Sequence, residues 1–168
     1  MAVVGELHIS FVCTGNICRS PMAEKILAAH LSRAGLAGRV RVSSAGTHGW
    51  HTGADADPRT TETLRRYGYP TGHRAAEFGH EHSDADLIVS MTTEHDRHLA
   101  VRGVPSERRR LLRSFDPDAD GIDVPDPYNG ATPEFELVRA QIEAAVPGLL
   151  DWVGAALAAR PTVTGEPA

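Results

Sequence analysis

Residues 7–22 read LHISFVC-TGN-IC-RSPM, and the change of pattern inside this stretch decides the fold. Leu7 to Val12 is strand-like, with Ile9, Phe11 and Val12 suited to a buried position. Thr14-Gly15-Asn16 forms a short polar turn. From Ser20 the period becomes helical, with Met22, Ile26, Leu27 and Leu31 on one face, Pro21 in the tolerant first turn and Gly35 past the end. Strand, tight loop, helix is therefore the opening order, and the chemically unusual residues lie in the loop.

The same reading extends along the chain. Val40–Ser44 and Leu87–Met91 read as strands, and Arg110–Phe115 as a fourth. Asp57–Tyr67 and Thr92–Val101 read as helices, and a last helix runs from about Pro133 towards Ala159 with an expected interruption at Pro147-Gly148. Gly46–Gly53 is a glycine-bounded loop carrying Trp50, and 116–132 is a long loop rich in Asp, Pro and Gly. Strands alternating with helices predict an α/β fold on a parallel sheet, in which sites form at the carboxyl ends of strands. The loop after the first strand and the one after the fourth are expected to meet at one edge.

Composition limits the rest. The chain has 168 residues, enough for one domain, expected over 1–160 with 161–168 as a loose tail. It is 41% hydrophobic and only 5% aromatic, so the core must be mostly aliphatic. A formal charge of -5 argues against nucleic acid as a partner. The one basic run, Arg108-Arg109-Arg110, reads as the solvated start of an element. No signal peptide is evident, and no apolar run approaches the roughly 20 residues of a membrane span, so a cytoplasmic protein with no membrane partner is expected. Two cysteines only, five positions apart, fit a reducing compartment.

In the loop itself, Cys13 sits at the end of a strand just before a helix N-terminus, where backbone N–H groups and the helix dipole favour a thiolate. The same amides can cradle a tetrahedral dianion, and Arg19 closes the loop with a planar fork able to hold two phosphoryl oxygens. Gly15 and Asn16 are the residues best able to adopt positive φ there.

Val12 to Met22, VCTGNICRSPM, resembles the active-site string of the low-molecular-weight protein tyrosine phosphatases of bacterial type, and the late Asp126-Pro127-Tyr128 resembles their acid loop. The resemblance implies a single-domain, four-stranded parallel sheet flanked by helices on both faces. It implies Cys13 as nucleophile, Arg19 as phosphoryl binder and Asp126 as general acid, with no metal and no cofactor. It further implies that Thr14, Gly15, Asn16, Ile17, Cys18 and Ser20 line the substrate site, that Ser20 donates to the Cys13 sulfur, and that Asn16 holds the loop's shape. Trp50 and Tyr128 would be facing walls of the cleft. The implied substrate is a phosphotyrosine protein, such as a bacterial tyrosine kinase or a host protein reached by export without a signal peptide, with inorganic phosphate as product. The chain would act as a monomer or weak homodimer.

Several residues keep two readings. Cys18 either packs beneath the loop or traps an oxidised Cys13 as a reversible disulfide. His73 and Glu24 either pair in support of the loop, as in the family, or make ordinary polar contacts. His48, His51, His80, His82, His95 and His98 read as a solvated scatter, since no spacing matches a zinc motif. Trp152 reads as core. Two positions depart from the family: Asn129 stands where many relatives have a second tyrosine, and Thr92 where relatives often have aspartate. Rival functions are an arsenate reductase, which needs further cysteines, a phosphoarginine phosphatase, which tends to have Thr at the position of Ile17, and a non-catalytic phosphotyrosine-binding module.

Overall fold

A computed structural model describes residues 6–160; the tail expected at 161–168 lies outside the described residues. The elements in chain order are β1 (Leu7–Cys13), α1 (Arg19–Arg33), β2 (Val40–Gly46), α2 (Pro58–Arg66), the short α3 (His80–Ser83), β3 (Leu87–Ser90), α4 (Thr93–Val101), β4 (Arg109–Leu111) and α5 (Thr132–Ala159). The four strands form one parallel sheet in the order β2-β1-β3-β4. The chain leaves β1 towards β2 on one side and returns to β3 on the other, so the strand order reverses at β1. The carboxyl end of β1 is therefore the topological switch point at which such sheets bind ligands.

Helices cover both faces, as the alternation along β1 requires. Leu7, Ile9, Phe11 and Cys13 join Met22, Ile26, Leu27 and Leu31 of α1 and the apolar face of α5 in the main core. Val12, on the opposite face, packs with Ala45, Phe78, Ala85, Ile88, Leu99 and Val104. That second face also buries a polar string. Arg41 can only donate to His8 Nδ1 (3.1 Å), so His8 Nε2–H donates to Ser43 Oγ (2.7 Å), and Ser43 donates to Ser10 Oγ (3.0 Å). Burial, reinforced by Arg41, lowers the His8 pKa to about 4.

Five expectations are corrected. The fourth strand is only Arg109–Leu111, and Leu112–Phe115 is a 3-10 turn. In a 3-10 turn residues three apart eclipse, which sends Leu112 and Phe115 into the core together. The basic run is structural rather than solvated: Arg108 donates to the Ser83 and Ala85 carbonyls, Arg109 to Val104 O and Asp96, and Arg110 lies 4.1 Å from the Phe115 ring centroid. The last helix is continuous for 28 residues through Pro147. By length and mean hydropathy (1.4 over its most apolar window) it also reaches the size of a membrane span, contrary to the expectation. Its face of Phe135, Val138, Ile142, Ala145, Val146, Leu149 and Val153 is buried in this domain's core. Trp152, expected in the core, is half-buried against it.

Gly148 explains why the helix carries a glycine. A Cβ there would stand 2.2 Å from the Phe115 carbonyl oxygen, so the glycine lets α5 close on the 3-10 turn. Gly148→Ala is expected to lower unfolding free energy in urea by about 1–3 kcal/mol, the usual cost of overpacking. A stability equal to wild type would contradict that close approach.

Candidate active site

Cys13 is the last residue of β1, and α1 begins at Arg19, so 14–18 make the whole turn from strand to helix. The first turn of α1 has no side-chain cap, which leaves its backbone N–H groups for the loop. Within the turn Asn16 adopts φ 59, the left-handed region that asparagine tolerates better than most residues. Gly15, expected to share that conformation, does not. Its lack of a side chain serves a close approach instead, since a Cβ would lie 2.8 Å from His51 Cδ2. Gly46 is similar, with Thr14 O 2.6 Å from where its Cβ would be.

Asn16 is fully buried and bonded at every polar group of its side chain. Its Nδ2 donates to Ser20 Oγ (2.8 Å) and Ser44 Oγ (3.0 Å), and its Oδ1 accepts from Ala76 N (2.9 Å). Its carbonyl is bonded by His73 Nε2 (2.7 Å), and Ser44 donates to Glu24 Oε1 (2.6 Å). Glu24 and His73 thus brace the loop from two directions, through different partners, rather than by pairing with each other. Because both amide protons are committed, Ser20 must accept from Asn16. Its own proton is then free for the Cys13 sulfur, 3.0 Å away, with the Ala45 carbonyl a longer alternative at 3.4 Å.

Arg19 is 4% exposed. One Nη donates to the Val124 carbonyl (3.0 Å), while the other lies 3.5 Å from Thr14 Oγ1 and 3.6 Å from Asp126 Oδ2. Its Nε is buried without a protein partner among the described residues. A planar fork held at one end, with a donor to spare, suits a phosphoryl group.

A cleft of about 540 Å³, open to solvent, is lined by Cys13, Thr14, Gly15, Ile17, Cys18, Arg19, Trp50, His51, Asp126 and Tyr128. The structure thus brings together most of the residues expected from sequence; Asn16 and Ser20 stand behind the cleft, supporting it. Trp50 is exposed on the rim, with the His48 ring stacked on it at 4.3 Å. Of the five aspartates in the long loop, Asp126 alone lines the cleft. Asp120 pairs with Arg113, Asp123 accepts from Thr93 N, and Asp116 accepts from Asp118 N. Asp126 Oδ1 accepts from Tyr128 N (3.1 Å), which turns the loop tightly between the two. Cys18 and Cys13 are both free thiols here. Burial, then the nearby Asp57 carboxylate, pushes the Cys18 thiol up to about 12, so it stays protonated at neutral pH.

Arg59 and His95 were not singled out by the sequence. Asp57 N-caps α2 by accepting from Arg59 N, and the Arg59 side chain, paired with that carboxylate, reaches across to the carbonyls of Tyr128 and Gly130 (both 2.9 Å), holding the loop that carries Asp126. His95 belonged to the expected scatter. It is in fact 3% exposed and bridges Thr14 Oγ1 (2.8 Å) and Thr92 Oγ1 (3.1 Å). His82 is likewise buried, its Nδ1 accepting from Gly79 N. Thr92, the departure from aspartate, serves as the N-cap of α4.

Residues 8–160 match the family described as low molecular weight phosphotyrosine protein phosphatase. This chain belongs to that family. It is 55% identical over 154 residues to low molecular weight protein-tyrosine phosphatase A of Mycobacterium tuberculosis, covering 90% of this chain and 94% of that one. It is 48% identical over 150 residues to a low molecular weight protein-tyrosine-phosphatase of Streptomyces coelicolor, covering 85% and 91%. Among solved structures, YfkJ from Bacillus subtilis superposes with a TM-score of 0.84 at 35% identity, over 89% of this chain and 96% of that one.

Burial keeps both imidazoles that brace the loop uncharged. It lowers His73, and with Arg19 beside it lowers His95 to about 3 from an ordinary 6.5. The unfolded chain takes up these protons first, so stability is complete above about pH 6.5 and falls as the pH drops towards 3. Between about pH 7.5 and 5.0 the urea unfolding free energy is expected to fall by about 2 kcal/mol from His95 alone. An unchanged value would contradict neutral buried imidazoles.

Proposed function

We propose that Cys13, Arg19 and Asp126 carry the protein tyrosine phosphatase activity that membership of the family gives this chain. The observation that supports this most is the single cleft in which a thiol, a buried guanidinium and an exposed carboxylate meet at the end of β1. The Cys13 thiolate attacks phosphorus in line, forming the S–P bond as the P–O bond to tyrosine breaks. Asp126 gives its proton to the departing phenolate oxygen. It then takes a proton from the water that cleaves the S–P bond, releasing inorganic phosphate and restoring the thiolate. Charge on the equatorial oxygens is met by the loop amides and by Arg19. Ser20, bonded to the sulfur, steadies the thiolate both before attack and as leaving group.

Trp50 and Tyr128 stand at the mouth, and Ile17 contributes an apolar wall. A flat phenyl phosphate fits between such surfaces better than a charged guanidine, which favours phosphotyrosine over phosphoarginine. The substrate proposed is a phosphotyrosine side chain on a protein, acted on by one domain spanning 1–160 in the cytoplasm.

The test is hydrolysis of p-nitrophenyl phosphate in EDTA. Wild type is expected to turn over, Cys13→Ser to be inactive, and Asp126→Ala to be slowed by about 10²–10⁴-fold. Wild type that binds phosphotyrosine peptides without hydrolysing them would replace this reading with a binding module.

A further inference from the structure

Thr14 is the one loop residue in the cleft whose side chain carries a hydroxyl, and that hydroxyl is not left to rotate freely. Its oxygen lies 2.8 Å from His95 Nε2 and 3.5 Å from an Arg19 Nη. His95 Nδ1 lies 3.1 Å from Thr92 Oγ1, and the same Thr92 oxygen accepts the His95 backbone N–H at 3.3 Å. Three side chains thus link the N-terminus of α4 to the loop that follows Cys13.

Counting protons gives the chain a direction. Thr92 Oγ1 already accepts from the His95 amide, so its own proton needs an acceptor, and His95 Nδ1 is the partner within reach. That leaves the His95 proton on Nε2, donated to Thr14 Oγ1. Arg19 has only protons to give, so Thr14 Oγ1 accepts there too. With both lone-pair directions engaged, the Thr14 proton is uncommitted within the protein, on a side chain that lines the cleft. In the opposite tautomer Nδ1–H would meet a Thr92 oxygen whose proton had no partner, and Thr14 would spend its own proton on His95.

We propose that His95 is a positioning residue whose Nε2–H fixes the Thr14 hydroxyl, so that Thr14 adds a side-chain donor to the amide cradle that holds the phosphoryl group. The inference rests on the phosphatase reading above and assigns it one further donor and the residue that aims it. Burial of His95 supports the arrangement, because a neutral ring is what lets Nδ1 accept while Nε2 donates. The energy available is that of one hydrogen bond to a charged oxygen, which is larger than between neutral groups.

Two measurements test it. Nitrogen-15 NMR of wild type reads the His95 tautomer directly and is expected to show the proton on Nε2. Competitive inhibition by inorganic phosphate reads the donor: Thr14→Val is expected to weaken phosphate about tenfold, and Thr14→Ser to recover most of that loss. His95→Leu should match Thr14→Val, the double variant should be no worse than either, and His95→Gln, with an amide nitrogen near the Nε2 position, should recover binding. If the leucine variant fails to fold, the tautomer and the Thr14 pair still decide. A proton on Nδ1, or a Thr14→Val protein that binds phosphate like wild type while wild type hydrolyses p-nitrophenyl phosphate, would overturn the inference alone. Wild type that neither hydrolyses that ester nor binds phosphate would instead overturn the phosphatase reading, and this inference with it.

Discussion

Asn16, held in a left-handed turn and bonded at both ends of its side-chain amide, is the constraint on which the site depends. A residue at positive φ costs conformational energy unless its surroundings over-determine it. Here they do, with partners drawn from α1, β2 and the segment leading to α3. Glycine would reach the same φ with less strain, but it could not give two protons and accept a third. Those bonds are buried, so breaking one leaves an unsatisfied group at a cost of about 1–3 kcal/mol. The network also fixes which way Ser20 donates, and so links the shape of the backbone to the state of the Cys13 sulfur.

The cradle and the acid loop are joined by guanidinium bridges rather than by sequence proximity. Arg19 reaches from the cradle to the Val124 carbonyl, and Val124 N donates to Met91 O at the end of β3. Arg59 holds the far side of the loop at Tyr128 and Gly130, and Arg113 holds Asp123 O. Arginine suits this work because one planar fork can satisfy several carbonyls at fixed spacing. Asp126 can therefore stay solvent-exposed, as proton exchange with water requires, while its backbone is pinned on both flanks.

Legibility in the sequence followed the range of each interaction. The strand-loop-helix of 7–33, the apolar face of α1, the span of α2, and the loop residues Cys13 to Ser20 are local patterns, and they were readable. Asp126 was readable only through its Asp-Pro-Tyr string, since four other aspartates share the loop; the fold separates them by giving three of these four other partners. Arg59 and His95 act through contacts 69 to 81 residues away in the chain, and Gly46 through the register of β1 on β2, which no local period encodes. The misread fourth strand and helix break have the same origin. Leu112 and Phe115 fit either a short strand or a 3-10 turn, and only packing beneath Gly148 selects the turn. Pro147 suggested a break, but burial of residues on either side of it in the core keeps the helix whole.

The central claim is that the turn from β1 to α1 makes Cys13 a nucleophile towards phosphorus. Rapid acid quench of Asp126→Ala during turnover of p-nitrophenyl phosphate, whose leaving group departs without a proton, followed by mass spectrometry of the peptide holding residues 7–19, tests it most directly. The account predicts a phosphate mass added at Cys13, absent in Cys13→Ser and accumulating in Asp126→Ala because this ester forms the S–P bond without the acid while the base that activates water is missing. Turnover by wild type with no phosphate on Cys13 at any quench time, or with phosphate on another residue, would contradict it.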